Sequence, residues 1–423
     1  MTWRDSMAPM RDRRFRWYFL SRAVDLFGDM MGHIALAFAV LAVSDSPGAL
    51  GIVLAAHSIP MVAFLLIGGV LADRFGRTVI IQLSNVTGGL THLAIAALVL
   101  TDTAEIWQLA ILTAVNGVAA AANQPALAGL MPQLAPAGSL QQANVLNGLL
   151  RNIMLVFAPA LGGALVVGVG PGWAIAINGV TYLLAAALLL PIKLPPPKQA
   201  GRSGILRDLR TGWTFFRSTT WLWVIVLAFG ALNALSSGGW NTLGPPLANE
   251  SDLGAQGWAL IVSAGAVGLV ATSIVLLRVT LRRPLLWGML GCALYSGQLL
   301  ALGSTTELWV IMVAAFVGGV GIDIFSIGWE TTMQEHVPRD MLSRVYSYDM
   351  LGSFIAIPAG QLLFGPLGAE FGLQRMILLA GAAYLVISLV TLFSRSVRTL
   401  DRVQSEPDPE VSAPESTSAA PPS

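Results

Sequence analysis

Four side chains near the start of the chain have the types and spacing to handle protons. Arg22, Asp25, Asp29 and His33 stand three, four and four residues apart, which on a helix sets them on one face. Their surroundings are apolar, and charge among apolar residues is costly enough to mark a candidate site. Burial and the Arg22 guanidinium act on such carboxylates in opposite senses, so the group can exchange a proton near neutral pH. Asp29, with Asp25, is the expected proton-coupling acid, and His33 a relay or substrate contact. The competing reading is architectural: a fixed Arg22–Asp25 pair, with Asp29 capping a neighbouring helix.

Other charges lie in comparably apolar stretches. Arg151 needs a carboxylate or water around it. Asp29 is one partner for it, either as a switch freeing the arginine for an anionic substrate or as a permanent salt bridge. Asp323 and Asp349 are the comparable acids of the second half. Asn123 and Asn233 are candidates for a substrate cavity. His57, His92, Asn116, Asn178 and Gln298 read as interhelical glue, worth about 0.6 kcal/mol each on average.

What must position these residues is a set of membrane-spanning helices. Of the 423 residues, 55% are hydrophobic and 11% charged, and the mean hydropathy is +0.70. A soluble chain of this length could not cover its surface with so few charges. Twelve apolar runs are each long enough to cross hydrocarbon about 30 Å thick. They cover residues 17–43, 49–71, 78–100, 106–130, 142–168 and 173–192, then 221–243, 257–279, 285–303, 308–330, 345–367 and 376–394. Helices are expected because lipid offers open backbone groups no partner.

Basic residues occupy alternate gaps: Arg4 to Arg16 before span one, Arg74 and Arg77, Lys193 to Arg217, Arg278 to Arg283, Arg339 and Arg344, and Arg395 to Arg402. The opposite gaps hold Asp45, Asp102, Glu105, Glu250, Asp252, Glu307 and Glu370, with Arg375 as the one cation. This asymmetry predicts a multi-pass protein of the cytoplasmic membrane with both termini cytoplasmic. The basic residues then report topology, not nucleic acid.

The chain divides into a cytoplasmic N-terminus (1–16), a six-helix bundle (17–192), a cytoplasmic linker (193–218), a second six-helix bundle (219–394) and a disordered cytoplasmic tail (395–423). Within the linker, 206–216 reads as a surface helix anchored by Trp213, Phe215 and Phe216. The halves repeat faintly: Met131 to Pro136, then Leu140 and Asn147, overlies Met333 to Pro338, then Leu342 and Asp349. Repeats in the same orientation fit a transporter whose site lies between them.

The gap between spans two and three reads Gly69-Val-Leu-Ala-Asp73-Arg74-Phe-Gly76-Arg77. This resembles the signature loop of the major facilitator superfamily. The resemblance implies twelve helices in two pseudo-symmetric bundles, with this loop as a conformational latch. Glu330, with Arg339 or Arg344, is expected to form a second latch. Each such latch would contribute ~1–3 kcal/mol to the choice between states. In span five, Pro159, Gly162 and Gly163 resemble an element of the superfamily's exporters, though Ala158 stands where that element has glycine. Gln124-Pro125-Ala126, Met131-Pro132-Gln133-Leu134, Gln142-Ala143-Asn144 and Arg344-Val345-x-Ser347 are similar to a branch containing enterobactin exporters and macrolide-efflux proteins.

The sequence carries no phosphate-binding G-x-x-x-x-G-K-[ST] loop, no H-E-x-x-H and no nucleophile elbow. Its single cysteine, Cys292, permits no intramolecular disulfide. The expectation is therefore a non-enzyme without metal or cofactor, a monomer whose partners are a small molecule, protons and the bilayer. The resemblance implies export of a small amphipathic molecule by proton antiport. Import by proton symport, a non-transporting sensor or scaffold, and a lipid flippase are the alternatives.

Overall fold

The computed structural model describes residues 8–44, 46–134, 140–192, 213–276, 278–279, 281–338 and 341–402. Among them there are helices and no strands. Twelve spans are long and apolar enough to cross a membrane. The first half holds α1 (Arg13–Val43), α2 (Pro47–Phe75), α3 (Arg77–Leu100), α4 (Ile106–Leu134), α5 (Leu140–Val169) and α6 (Pro171–Leu189). The second holds α7 (Thr220–Glu250, in pieces), α8 (Gly254–Leu276), α9 (Pro284–Ser304), α10 (Leu308–His336), α11 (α11a Leu342–Phe354, α11b Ile357–Phe371) and α12 (Leu373–Thr391).

Several helices overrun their apolar stretch on the side that bears the termini. α1 starts where Asp12 caps it, Oδ1 accepting from the Arg14 and Phe15 amides at 2.6 and 3.2 Å. α10 runs past Glu330 to His336. Of the expected linker helix, 206–212 lie outside the described residues, while 213–218 are helical. Phe216 is buried there, 5.9 Å from the Tyr348 ring, and Trp213 stacks on it at 5.6 Å. These two residues grip α11a as well as any interface.

Spans seven and eleven are interrupted, which hydropathy does not reveal. In α7 the helix Thr220–Ser236 passes into a π turn, Ser237–Thr242, before resuming as Gly244–Glu250. Pro245 and Pro246 have no amide hydrogen for the carbonyls of Asn241 and Thr242. The turn relaxes to a wider bond, Leu243 N to Gly238 O at 3.1 Å, and Thr242 Oγ1 donates to the Ser237 carbonyl. In α11 the break precedes Pro358, and the Ser353 carbonyl accepts from Asn233 Nδ2 at 2.9 Å. An irregular backbone inside a membrane needs such partners.

Within the first half α6 packs on α1 and α3, and α2 packs on α4; in the second, α10 packs on α8 and α9, and α9 on α12. The halves meet along two seams, α5 on α8 and α2 on α11b. Swapping the halves exchanges these seams, as a pseudo-two-fold requires. Both rely on glycine. A methyl at Gly51 would overlap the Gln361 carbonyl, and one at Gly163 would overlap Ala259 and the Ala255 carbonyl. Such approaches bring helix backbones into contact where apolar burial cannot drive association. Gly51, Gly163 and their partners lie toward the side away from the termini.

Candidate functional site

The polar face of α1 does not act as one unit. Arg22 Nη1 lies 2.5 Å from Asp25 Oδ2. Asp25 is buried, in a small recess shared with Tyr18, Ser21, Asn85 and Leu189. That recess is inside the first bundle. The cause is local sequence: Gly28 and Gly32 leave gaps on α1 that Thr181 and Asn178 of α6 fill. Ser21 Oγ then donates to the Ala185 carbonyl at 2.8 Å. The face that spacing alone predicts to line a central cavity is thus turned largely onto α6, and Arg22 and Asp25 are paired on it.

Asp29 sits higher on the same helix and is half-buried. Its Oδ1 accepts from the Tyr182 hydroxyl at 2.9 Å. His33 is exposed, its Nδ1 2.7 Å from the Asp29 carbonyl. The Tyr182 ring continues to His92, centroids 5.3 Å apart. His92 Nδ1 lies 2.8 Å from the Gly88 carbonyl and 3.2 Å from Asn116 Nδ2. A chain of contacts therefore links Asp29 of α1 through Tyr182 of α6 to His92 of α3 and Asn116 of α4. Sequence reading ranked His57, His92 and Asn116 as packing and passed over Tyr182. Three of four histidines falling within apolar spans of one half was the available signal.

Arg151 is exposed on α5, and among the described residues no carboxylate lies within 4.0 Å of it. The expected pair with Asp29 is therefore absent. Asp323 stands on α10 of the other half and is half-buried. Asp323 Oδ2 accepts from Ser273 Oγ at 2.8 Å. Asp349 is held by Trp329 Nε1 at 3.1 Å and Ser353 Oγ at 3.2 Å. Trp329 belongs to an aromatic run with Phe325 (6.0 Å), which stacks on Phe229 at 4.0 Å. Asn233 supports the α11 break, while the Asn123 amide oxygen is buried without a partner among the described residues.

The loop elements are partly visible. Gly69 and Asp73 fall within α2, and their surroundings lie outside what is described. Gly76 has φ +94°, a conformation that disfavours a side chain, and this lets α3 restart at Arg77 at once. The Arg74 guanidinium lies 5.5 Å from the Phe75 ring centroid. Glu330 accepts from Gln334 Nε2 at 2.7 Å; the Arg344 side chain and Arg339 lie outside the described residues. Pro159 is inside α5, and the glycines after it are seams: Gly162 against Met31, Gly163 against α8.

A family model described as transmembrane secretion effector matches residues 4–420. The chain is 24% identical over 395 residues to an uncharacterized MFS-type transporter, YfiS, of Bacillus subtilis (strain 168), covering 89% of this chain and 92% of that one. It is 26% identical over 388 residues to the enterobactin exporter EntS of Escherichia coli O127:H6 (strain E2348/69 / EPEC), covering 89% and 91%. In structure it is similar to the nucleoside transporter NupG, with TM-score 0.70, 12% identity and 90% and 98% coverage. A bacterial homolog to human lysosomal transporter Spinster, in inward-facing and unoccupied conformation, gives TM-score 0.70, 15% identity and 93% and 99% coverage. At these identities the structural likeness speaks for the fold.

Proposed function

The chain belongs to the transmembrane secretion effector family of MFS transporters, and from that membership we propose that it exports a small amphipathic molecule across the cytoplasmic membrane in exchange for protons. The observation that carries this reading is the family match over residues 4–420, with Arg151 exposed on α5 of the first half and Asp323 half-buried on α10 of the second. Neither is an ion-paired scaffold group. Arg151 offers planar donors to an anionic or carbonyl-bearing cargo. Asp323 and Asp349, held by neutral donors, offer acceptors, and Trp329 and Phe325 offer apolar faces. That mixture of a few polar anchors and aromatic walls suits an amphipathic guest.

The seams support an alternating-access cycle. The contacts through Gly51 and Gly163 close the side away from the termini. With the termini cytoplasmic, the described state is open to the cytoplasm, ready to load cargo. Rocking the halves about the fixed site then delivers it outward. Proton entry at Asp29 supplies the driving force, since no nucleotide-binding loop is present in the sequence. The similarity to an enterobactin exporter supports the outward direction.

The test is uptake into everted membrane vesicles with an acid interior, using ethidium, erythromycin and enterobactin as probes. Proton antiport predicts accumulation of at least one probe that collapses with a protonophore. Absence of gradient-driven accumulation for all three, in vesicles that contain folded protein, overturns the proposal.

A further inference from the structure

The cluster around Tyr182 and His92 is not needed to hold cargo at Arg151 and Asp323, yet it links Asp29 of α1 to residues of α6, α3 and α4. We propose that Tyr182 and His92 form, together with Asp29, a proton-binding site inside the first bundle, in which Tyr182 responds to the charge on Asp29 and His92 shuttles between two tautomers. This rests on the proton-exchange reading of Asp29.

The hydrogen bonds define the site. Tyr182 donates its hydroxyl hydrogen to Asp29 Oδ1. An ionised carboxylate can only accept; a protonated one gains a donor. When Asp29 takes up a proton on Oδ2, Oδ1 still accepts from the phenol, but the bond falls from a charge-assisted one to a weaker neutral one. Tyr182 therefore distinguishes the two states, and it does so on α6, the helix that α1 packs against through Gly28 and Gly32. The proton state of Asp29 acts directly on a helix–helix contact.

His92 supplies the second half of the argument. Its Nδ1 faces an acceptor, the Gly88 carbonyl, and a donor, Asn116 Nδ2. The carbonyl needs a hydrogen on Nδ1; the amide needs a lone pair there. One neutral imidazole cannot satisfy both, so each tautomer satisfies one partner. The two tautomers carry the same net charge, so the change from one to the other takes up and releases no net proton; it is decided by which partner Nδ1 meets. Each cycle binds one proton at Asp29 and releases one, and Tyr182 and His92 end as they began.

The other ionisable groups acting on this site are Arg22, Asp25 and His33 of α1 and His57 of α2. From α4 comes Asn116, which does not titrate. The buried ring of His92 packs on Tyr182, so a change in one is felt by the other.

The experiment is an infrared pH titration of the full chain in liposomes, with the Asp29 carboxyl band assigned by Asp29→Asn. In Tyr182→Phe the midpoint of that band should move by about one pH unit, as expected on losing a hydrogen bond to a charged group. In the wild type, imidazole bands lost in His92→Gln should change over the same pH range as the carboxyl band. A carboxyl midpoint that stays put in Tyr182→Phe, or imidazole bands that titrate independently of it, overturns the proposal and leaves the cluster as packing. If Tyr182→Phe does not yield folded protein, the coincidence of the wild-type bands decides. Vesicle transport by Asp29→Asn tests the underlying antiport reading separately; gradient-driven uptake that persists in that variant sinks the antiport reading, while the Tyr182 midpoint still judges this one.

Discussion

The two bundles treat their buried charges in opposite ways. In the first, Asp25 meets a permanent charge, the Arg22 guanidinium, and Asp29 meets the Tyr182 phenol with His92 behind it. In the second, the side-chain hydrogen bonds to Asp323 and Asp349 among the described residues come from neutral hydroxyl and indole donors, Ser273, Ser353 and Trp329. A partner that can itself change protonation couples one titration to another. A neutral donor merely orients the acid. The contrast suggests a division of labour, with proton handling in the first bundle and cargo handling in the second, and Arg151 as the first bundle's contribution to the cargo.

The sharpest break would come from Asp29→Asn. If proton handling is confined to the first bundle, gradient-driven uptake of the responsive probe falls at least ~100-fold. Exchange of probe without a gradient persists in the same vesicles. Equal loss of both would erase the distinction between the bundles.

Arg22→Ala tests whether Asp25 is architecture. Removing the guanidinium leaves a buried carboxylate unpaired, and with Arg22 partly exposed the expected destabilisation is about 3 kcal/mol. The sign with pH is fixed: protonating Asp25 removes the stranded charge, so the deficit shrinks as pH falls. Thermal melts at several pH values measure it. A deficit equal at all pH values would mean the arginine acts by packing alone.

Asp323→Asn should leave the pH profile of transport in place and weaken the probe by roughly tenfold in half-saturation, equivalent to ~1.4 kcal/mol. A shifted profile would put proton handling in both bundles. The smallest effect is that of Asn233→Ala. It strands one carbonyl at the α11 break and should cost about 0.6 kcal/mol, read as a slight fall in melting temperature with unaltered uptake.

The twelve spans were legible because length and hydropathy are local properties. Gly76 was legible too, since a short turn between two long apolar helices needs a residue free to adopt positive φ. The breaks at Pro245–Pro246 and Pro358 were not, because a proline inside an apolar run is compatible with a continuous helix: Pro159 sits inside unbroken α5. The site divided along the same line. The spacing of Arg22 and Asp25 within one helix was enough to foresee their pairing as an alternative. Asp29 was visible as a charge in hydrocarbon, but its partner Tyr182 is 153 residues away. Asp29 was a plausible partner for Arg151 at similar depth, but among the described residues the two are not paired. Helix rotation depends on which neighbours have glycine, and that is decided only when helices meet.

The seam at Gly51 has a kinetic meaning. Main chain rests on main chain there, and the side-chain atom near the contact is the compact Thr242 methyl. Opening and shutting such a contact requires no search among rotamers, so the door can swing at the pace of the rigid bundles themselves. A single added methyl would act as a doorstop, holding the far side ajar.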